Sequence, residues 1–455
     1  MNAVMGIDIG SSAIKAVLFD ADARVVIRQE RRPLKSRVWT SNASHFEEDP
    51  IAIRDAAFGI IHSLADFAKE HGHEVKAIAF TGQMHGGLLI DATLRPLTNF
   101  ITWQDKRGDE IHEDGRTFVE SLRLLSEPDP TGVGIHTGFL ISTLNWLRRH
   151  DAIPMNSAKV LGIYDWLTSL LVGRPVADIS SAAAWGMFDP VERSWRNELL
   201  VEAGISHSLL PEVVESGAEL GSVDSGRAAE LGLDPSVRVH ASIGDTQAAY
   251  LGSECMANEI LLNFGTGSQS MWETTNPVAT EGTDIRYLRN GRYLACAPTL
   301  AGGEAYRIVT DFFREAVKEF TGEEIPMERT RTIMDRLALN SDSLGIVIDP
   351  IFRGSKFRPD KDRGSIAGIT SENFHPGPLV RAVVEGMIEE VAWPYFLRES
   401  SMVHTGIVGA GSALRGNPAL RDAAEKRFGR ALRLGRFEEE AAVGAAMLCL
   451  LLENR

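Results

Sequence analysis

Apolar residues run unbroken through Val4–Ile9 apart from Gly6 and Asp8, and again through Ile14–Phe19 around Lys15, with Gly10-Ser11-Ser12 between them. Two short apolar runs flanking a small polar triplet predict a hairpin of buried strands. From Pro50 to His71 the period lengthens, and Ile53, Ala57, Ile60, Ile61, Leu64 and Phe67 fall on one face of a helix. Val75–Phe80 is the next apolar strand and ends in Thr81-Gly82. Leu88–Asp91 and Asn99–Trp103 read as short strands, Leu140–Arg149 and Leu161–Leu171 as helices. Strands alternating with helices predict an α/β fold.

The layout recurs after the middle of the chain. Val237–Ile243 reads as a strand, Gly244-Asp245 as a turn and Thr246–Leu251 as the start of a helix. Ile260–Phe264, the turn Gly265-Thr266-Gly267 and Ser268–Trp272 then form a second hairpin like that of residues 4–19. A boundary between two lobes is expected near Asp245–Gly252, with no low-complexity linker to separate them. Thr321–Ser341 is charged and predicts a solvated helix, and Ala441–Leu452 a buried one.

Length supports this division: 455 residues exceed what one compact core ordinarily holds. The net charge of -15, from 47 Lys+Arg against 62 Asp+Glu, repels nucleic-acid backbones and anionic lipid surfaces. An anionic ligand must therefore be held locally, by loop amides, helix N-termini or a metal ion. No apolar run is long enough to suggest a membrane span, and no basic segment followed by an apolar stretch precedes the first strand. The three cysteines, Cys255, Cys296 and Cys449, are far apart and form no CxxC, so a reducing cytoplasmic setting is expected.

Five places could carry chemistry. In Asp8-x-Gly10-Ser11-Ser12-x-x-Lys15 an aspartate at a strand end can hold a divalent ion, the glycine lets backbone amides approach a phosphate, and Lys15 can reach a transferring group. Asn263-Phe264-Gly265-Thr266-Gly267-Ser268 offers a second such loop. Gly409-Ala410-Gly411-Ser412 joins a strand to a helix, and Asn417-Pro418 supply a helix start. Asp245 is either an N-cap or a general base facing a cleft. Gln83-Met84-His85, with Trp103-Gln104-Asp105 some way on, sets donors, acceptors and a flat ring where a polyhydroxylated ligand could use them. Taken singly, each is also read as an ordinary turn, cap or core position. No GxxxxGK[ST], GxSxG or HExxH occurs.

Together these residues resemble the FGGY carbohydrate kinases, of the wider sugar kinase, actin and heat-shock ATPase group. The resemblance runs in order along nearly the whole chain: Gly6–Lys15, Thr81–Gly86, Ile101–Asp105, Gly244-Asp245, Asn263–Ser268, Leu300–Gly303, Arg363–Ile369, Gly409–Ser412 and Glu440–Ala446. It implies two actin-like, ribonuclease H-like lobes around a central nucleotide cleft. Residues 1–246 would bind sugar and phosphate and residues 247–455 the nucleotide. The ligands implied are a small-molecule sugar, ATP and Mg²⁺. Asp8 would organise the metal. Gly10, Ser11, Ser12, Lys15, Gly265, Thr266, Gly267, Gly302, Gly303, Gly411, Ser412 and Asn417 would line the ATP site. Asp245 would be the base, with Gln83, Met84, His85, Trp103 and Asp105 toward the sugar. Many relatives form dimers.

Glycerol kinases usually carry Gln-Arg-Glu where this chain has Gln83-Met84-His85, which disfavours glycerol. Met-His-Gly is similar to xylulose and sedoheptulose kinases, and the Ile101–Asp105 run looks closer to the latter. Gluconate-type kinases tend to end that motif in Ser, where this chain has Gly86. A ketose is expected, sedoheptulose first, with xylulose or ribulose as alternatives. A sensor on the same fold would lose the base or the metal carboxylate, and both Asp8 and Asp245 are present. An ATPase with a protein client would need an appended peptide-binding domain, for which no residues are left over.

Overall fold

The computed structural model of the chain describes residues 2–127, 129–265, 267–355, 357–358, 361, 363–397 and 404–450. The first hairpin forms as the pattern predicts, from β1 (Asn2–Ile9) and β2 (Ala13–Asp20), and continues into β3 (Val25–Pro33). α1 (Pro50–Glu70) starts where Asp49 accepts from the Ile51 amide (2.8 Å) and Pro50 presets the first turn. It ends at His71, before Gly72 turns the chain with φ 70°. β4 (Glu74–Gly82), α2 (Leu140–Arg149), α3 (Ile163–Val172) and α4 (Ile179–Ala183) follow, then β5 (Glu219–Ser222).

The expected strand Val237–Ile243 is divided into β6 (Arg238–His240) and β7 (Ile243–Gly244), both parallel to β4. Between them Ser242 turns its hydroxyl to Thr168 of α3 (2.7 Å), which interrupts the ladder. The expected strand Asn99–Trp103 shrinks to Phe100–Ile101. Sheet order in this half is β5-β6-β4-β1-β2-β3, with β7 on the same β4 edge as β6.

α5 (Asp245–Gly252) leads into the second half, with β8 (Glu259–Phe264), β9 (Ser268–Thr274), β10 (Asp284–Arg289) and β11 (Arg292–Thr299). Next come α6 (Gly303–Thr321), α7 (Met327–Leu339), β12 (Gly406–Ala410), α8 (Ser412–Gly416), α9 (Pro418–Phe428), β13 (Leu432–Leu434) and α10 (Glu440–Leu450). The second sheet runs β10-β11-β9-β8-β12-β13. Its strand β8, like β1, pairs antiparallel with the next strand and parallel with the strand on its other side. The two sheets repeat one central pattern and differ at their outer strands, which makes the layout similarity of the two hairpins structural. α7 is charged as expected, yet it buries Thr330, Met334 and Ala338, so only one side is solvated.

Strand alternation decides what each face of the first sheet does. Met5, Ile7 and Ile9 join the core that holds α1, with Ile53, Ile60 and Leu64. The opposite face carries Val4, Val17, Phe19, Ala77 and Ala79, and these pack on Ala442, Val443 and Ala446 of α10. α10 thus crosses back to the first sheet. It lies so close that a Cβ on Gly6 would strike the Ala442 carbonyl. Where α10 crosses α5, a Cβ on Gly252 would meet the Glu440 carbonyl and one on Gly444 the Ala248 carbonyl.

Candidate active site

The alternation that places Val4 and Gly6 against α10 also sets Asp8 on that face. Register then builds a polar row across the strand ends: Lys15 on β2 and Thr81 on β4 flank Asp8, and Ile243 on β7 lies beside Thr81. Asp245 follows two residues after Ile243, so the two aspartates of the sequence motifs come to one end of one sheet. Asp8 is 9% exposed. Burial pushes its carboxyl up to about 7, the Asp245 charge adds to this, Lys15 opposes it and Glu439 adds again. Glu439, one residue before α10, holds the Lys15 ammonium at 2.6 Å.

Asp245 is not an N-cap. Gly244 caps α5, and Asp245 is its first residue, with Oδ1 accepting from the Thr246 amide (2.6 Å) and hydroxyl (3.2 Å). Burial raises its carboxyl, against the pull of Arg286 and those two bonds. The result is a carboxylate more basic than an ordinary aspartate, as a proton acceptor requires.

Beside it lies a cavity of about 710 Å³ walled by both halves of the chain. Met84, His85 and Trp103 line it from the first half, and Gln247, Asp284, Arg286 and Tyr287 from the second. His85 has φ 74°, an uncommon conformation for a histidine. Its ring stacks on Phe139 (4.3 Å, 9° between planes) and its Nδ1 bonds the Ala184 carbonyl at 2.8 Å. Trp103 is 46% exposed, so its ring face is available to a ligand. Arg286 bridges Asp284 (3.0 Å) and the Thr246 hydroxyl (2.9 Å), tying the cavity wall to the residue next to Asp245.

Three residues expected at the sugar lie outside the cavity lining: Asp245, whose near neighbour Gln247 lines it, Asp105 and Gln83. Asp105 is 0% exposed and accepts from Arg107 Nε (2.8 Å), Arg107 Nη2 (3.1 Å) and the Phe46 amide (2.8 Å). Its charge is consumed in holding the Trp103 loop. Gln83 is buried with its amide donating to Glu48 (3.0 Å), a carboxyl that burial pushes up to about 7.

The glycine loops of the second half gather at the ends of β8 and β12. The Gly303 amide donates to the Gly265 carbonyl (2.9 Å), and a Cβ on Gly302 would strike Ser268 and Gly267. Gly411, at φ 83°, lies against the Phe264 carbonyl. Thr266 lies outside the described residues. Ser412 opens α8, and Gly10, Ser11 and Ser12 form the turn between β1 and β2. Asn417 caps α9 through the Leu420 amide (3.1 Å) and donates to Asp335 (2.7 Å), which also accepts from Tyr306 (2.6 Å). Sequence reasoning missed Glu439, Asp284 and Arg286. The first is hidden in an acidic run, and the others sit in a plain strand without a motif.

A model of the FGGY family of carbohydrate kinases, N-terminal domain, matches residues 3–252, from β1 to the last residue of α5. The chain belongs to the FGGY family of carbohydrate kinases. This kinase is 26% identical to the sedoheptulokinase of Homo sapiens, over 98% of this chain and 97% of that protein. It is 28% identical to the gluconokinase of Bacillus subtilis, over 85% of this chain and 74% of the other. Its fold is that of the xylulose kinase from Rhodospirillum rubrum, with a TM-score of 0.85 at 24% identity, covering 98% of this chain and 89% of that one. The architecture is thus the two-lobed, actin-like fold of sugar kinases. Kinases of this family use ATP and a divalent metal. Among the described residues, no helix is long and apolar enough to cross a membrane.

Proposed function

We propose that this carbohydrate kinase phosphorylates a primary hydroxyl of a ketose, sedoheptulose first, with Asp245 as the general base. The observation that carries the reading is the cavity beside Asp245: Met84, His85 and Trp103 give it an apolar edge and a ring face, while Gln247, Asp284 and Arg286 supply polar groups opposite. At about 710 Å³ it has room for a seven-carbon sugar. The near full-length similarity to a sedoheptulokinase supports the same choice.

In this reading the sugar hydroxyl gives its proton to Asp245 as its oxygen bonds the terminal phosphorus of ATP and the bond to ADP breaks. Asp8 fits a divalent ion: it is a buried carboxylate crowded by Asp245 and Glu439, with Lys15 the cation beside it. No group of three His, Cys, Asp or Glu among the described residues could cage a metal alone. That suits Mg²⁺, which keeps its waters and phosphate oxygens. Bound there, Mg²⁺ supplies charge neutralisation at the phosphates. The loops at Gly265 and Gly267, Gly302-Gly303 and Gly411-Ser412 would present backbone to the nucleotide, with Asn417 and Lys15 near it. Residues 1–246 then carry the base, the metal carboxylate and one wall of the sugar cavity, and residues 247–455 the nucleotide loops and the opposite cavity wall. The wide spacing of Cys255, Cys296 and Cys449 along the chain supports a reducing, cytoplasmic setting.

A second reading, an aldonate such as gluconate, is favoured by Lys106, an exposed cation on the cavity wall with no ion-pair partner among the described residues. The test is ADP release from MgATP with sedoheptulose, xylulose, ribulose, fructose, glycerol and gluconate. One ketose should give fast turnover, and Asp245→Asn should lower it by about 10²–10⁴-fold while nucleotide still binds. Preference for gluconate selects the second reading. No turnover with MgATP bound points to a sensor, and full turnover in Asp245→Asn removes the base.

A further inference from the structure

The base does not hold its own position. Among the described residues the Asp245 carboxylate bonds only its neighbour Thr246, so its aim depends on the backbone at the start of α5 and on Gly244 before it. The Gly244 amide, buried at the end of β7, donates to the Ser180 hydroxyl at 2.9 Å. Ser180 Oγ in turn donates to Asp178 Oδ1 at 2.5 Å. The same Asp178 oxygen accepts from the Ser216 hydroxyl (2.7 Å) and the Ser180 amide (2.8 Å), and the other oxygen from the Ser181 amide (3.3 Å).

Asp178 is seated on Asp165, whose Oδ1 accepts from the Asp178 amide (3.1 Å) and whose Oδ2 accepts from the Ser181 hydroxyl (2.5 Å). Asp165, Asp178, Ser180 and Ser181 are each 1% exposed. At the far end of α4, the Ala184 carbonyl holds His85 Nδ1 at 2.8 Å. One short helix therefore holds Gly244, the residue before the base, at its first turn and the cavity histidine at its end.

We propose that Ser180 is a positioning residue for phosphoryl transfer. Its hydroxyl passes the fixed geometry of Asp178 to the Gly244 amide and so aims Asp245 at the sugar hydroxyl. The proposal rests on Asp245 being the base. Ser180 also borders the cavity. Direct contact with sugar is the rival role, and it makes a different kinetic prediction. An error of about 1 Å in the position of a reacting group costs on the order of 10²-fold. Removing an interaction made equally in the ground and transition states raises KM and leaves kcat.

The experiment compares Ser180→Ala, Ser180→Thr and Ser216→Ala in the full chain, with the best sugar of the panel and MgATP. Ser180→Ala should lower kcat about 10–100-fold with both KM values within about 2-fold of the parent. Ser180→Thr keeps the hydroxyl and should restore most of kcat. Ser216→Ala removes a bond to the same carboxylate without touching Gly244. It should lower the melting temperature yet hold kcat within about 3-fold. If Ser180→Ala does not fold, Ser180→Cys is near in size with a weaker bonding group and carries the same expectation.

A higher sugar KM with unchanged kcat overturns the proposal in favour of direct contact. Equal kcat losses in Ser180→Ala and Ser216→Ala overturn it in favour of general destabilisation. Asp245→Asn is run beside them. If it keeps full turnover, the base assignment has failed. If it is inactive while Ser180→Ala is normal, only the positioning role has failed.

Discussion

Replacing Asp8 with asparagine should stabilise the metal-free protein and abolish its activity together. Burial, Asp245 and Glu439 lift the Asp8 carboxyl from 3.8 to about 7, with Lys15 only partly offsetting them. The folded pKa lies above the unfolded one, so between these values the folded chain holds a proton that the unfolded chain has released. The contribution is fully favourable below about 3.8 and is lost as pH rises through about 7. By pH 8 the folded protein carries an unfavourable charge. A difference of about three pH units corresponds to roughly 4 kcal/mol.

The asparagine side chain never ionises, so Asp8→Asn should be about 2–4 kcal/mol more stable at pH 8 and nearly equal to the parent at pH 4. Urea midpoints and melting temperatures of both proteins, nucleotide-free and in EDTA, would show this as a gain of several degrees that fades with acid. Mg²⁺ with ADP should reverse the ranking, since only the parent keeps the carboxylate for the ion. An asparagine variant less stable than the parent at pH 8, or a gap that ignores pH, refutes the electrostatic account.

Other consequences are as direct. His85→Ala should raise the sugar KM more than the ATP KM, and a selective loss of ATP affinity in steady-state kinetics would contradict its placement. Asp105→Ala leaves buried Arg107 with Glu47 alone and the Phe46 amide without its acceptor, and should cost about 1–3 kcal/mol in unfolding experiments; normal stability with a raised sugar KM would return Asp105 to the cavity. Glu439→Gln releases Lys15 and removes a charge that repels phosphate, so metal-free ADP should bind more tightly by calorimetry; weaker binding would make Glu439 a contributor to the site. Gly444→Val forces a side chain into the Ala248 backbone and should lower the melting temperature sharply, whereas an unchanged melt would deny the close crossing of α5 and α10.

What could be read from the sequence was what is local. The hairpins around Gly10-Ser11-Ser12 and Gly265–Gly267, the Asn417 cap and the helix from Pro50 follow from neighbours along the chain, and they stand where the pattern put them. Lys15 beside Glu439 joins residues more than four hundred positions apart, and only the folded topology brings them together. Arg286 enters the cavity because β10 lies at the sheet edge, a fact of strand order and not of composition. Asp105 shows the reverse error. Its place in a polar motif suggested a ligand, while Arg107, two residues on, claims the carboxylate. The left-handed backbone of His85 is likewise set by its surroundings, because even histidine, enriched there among non-glycine residues, adopts it too seldom for the residue type to announce it.

The crossing of α10 onto the first sheet also orders events during synthesis. Val4, Val17, Phe19, Ala77 and Ala79 all leave the ribosome about 360 residues or more ahead of the helix that covers them. The first half can form its α1-side core early, but its other face stays wet until residues 440–450 emerge. At about 5–20 residues per second this leaves an open apolar face for tens of seconds. A chaperone that shields such surfaces has its longest opportunity there. A chain halted before α10 should expose that face permanently and be cleared or aggregate, even with every sugar-facing residue already made.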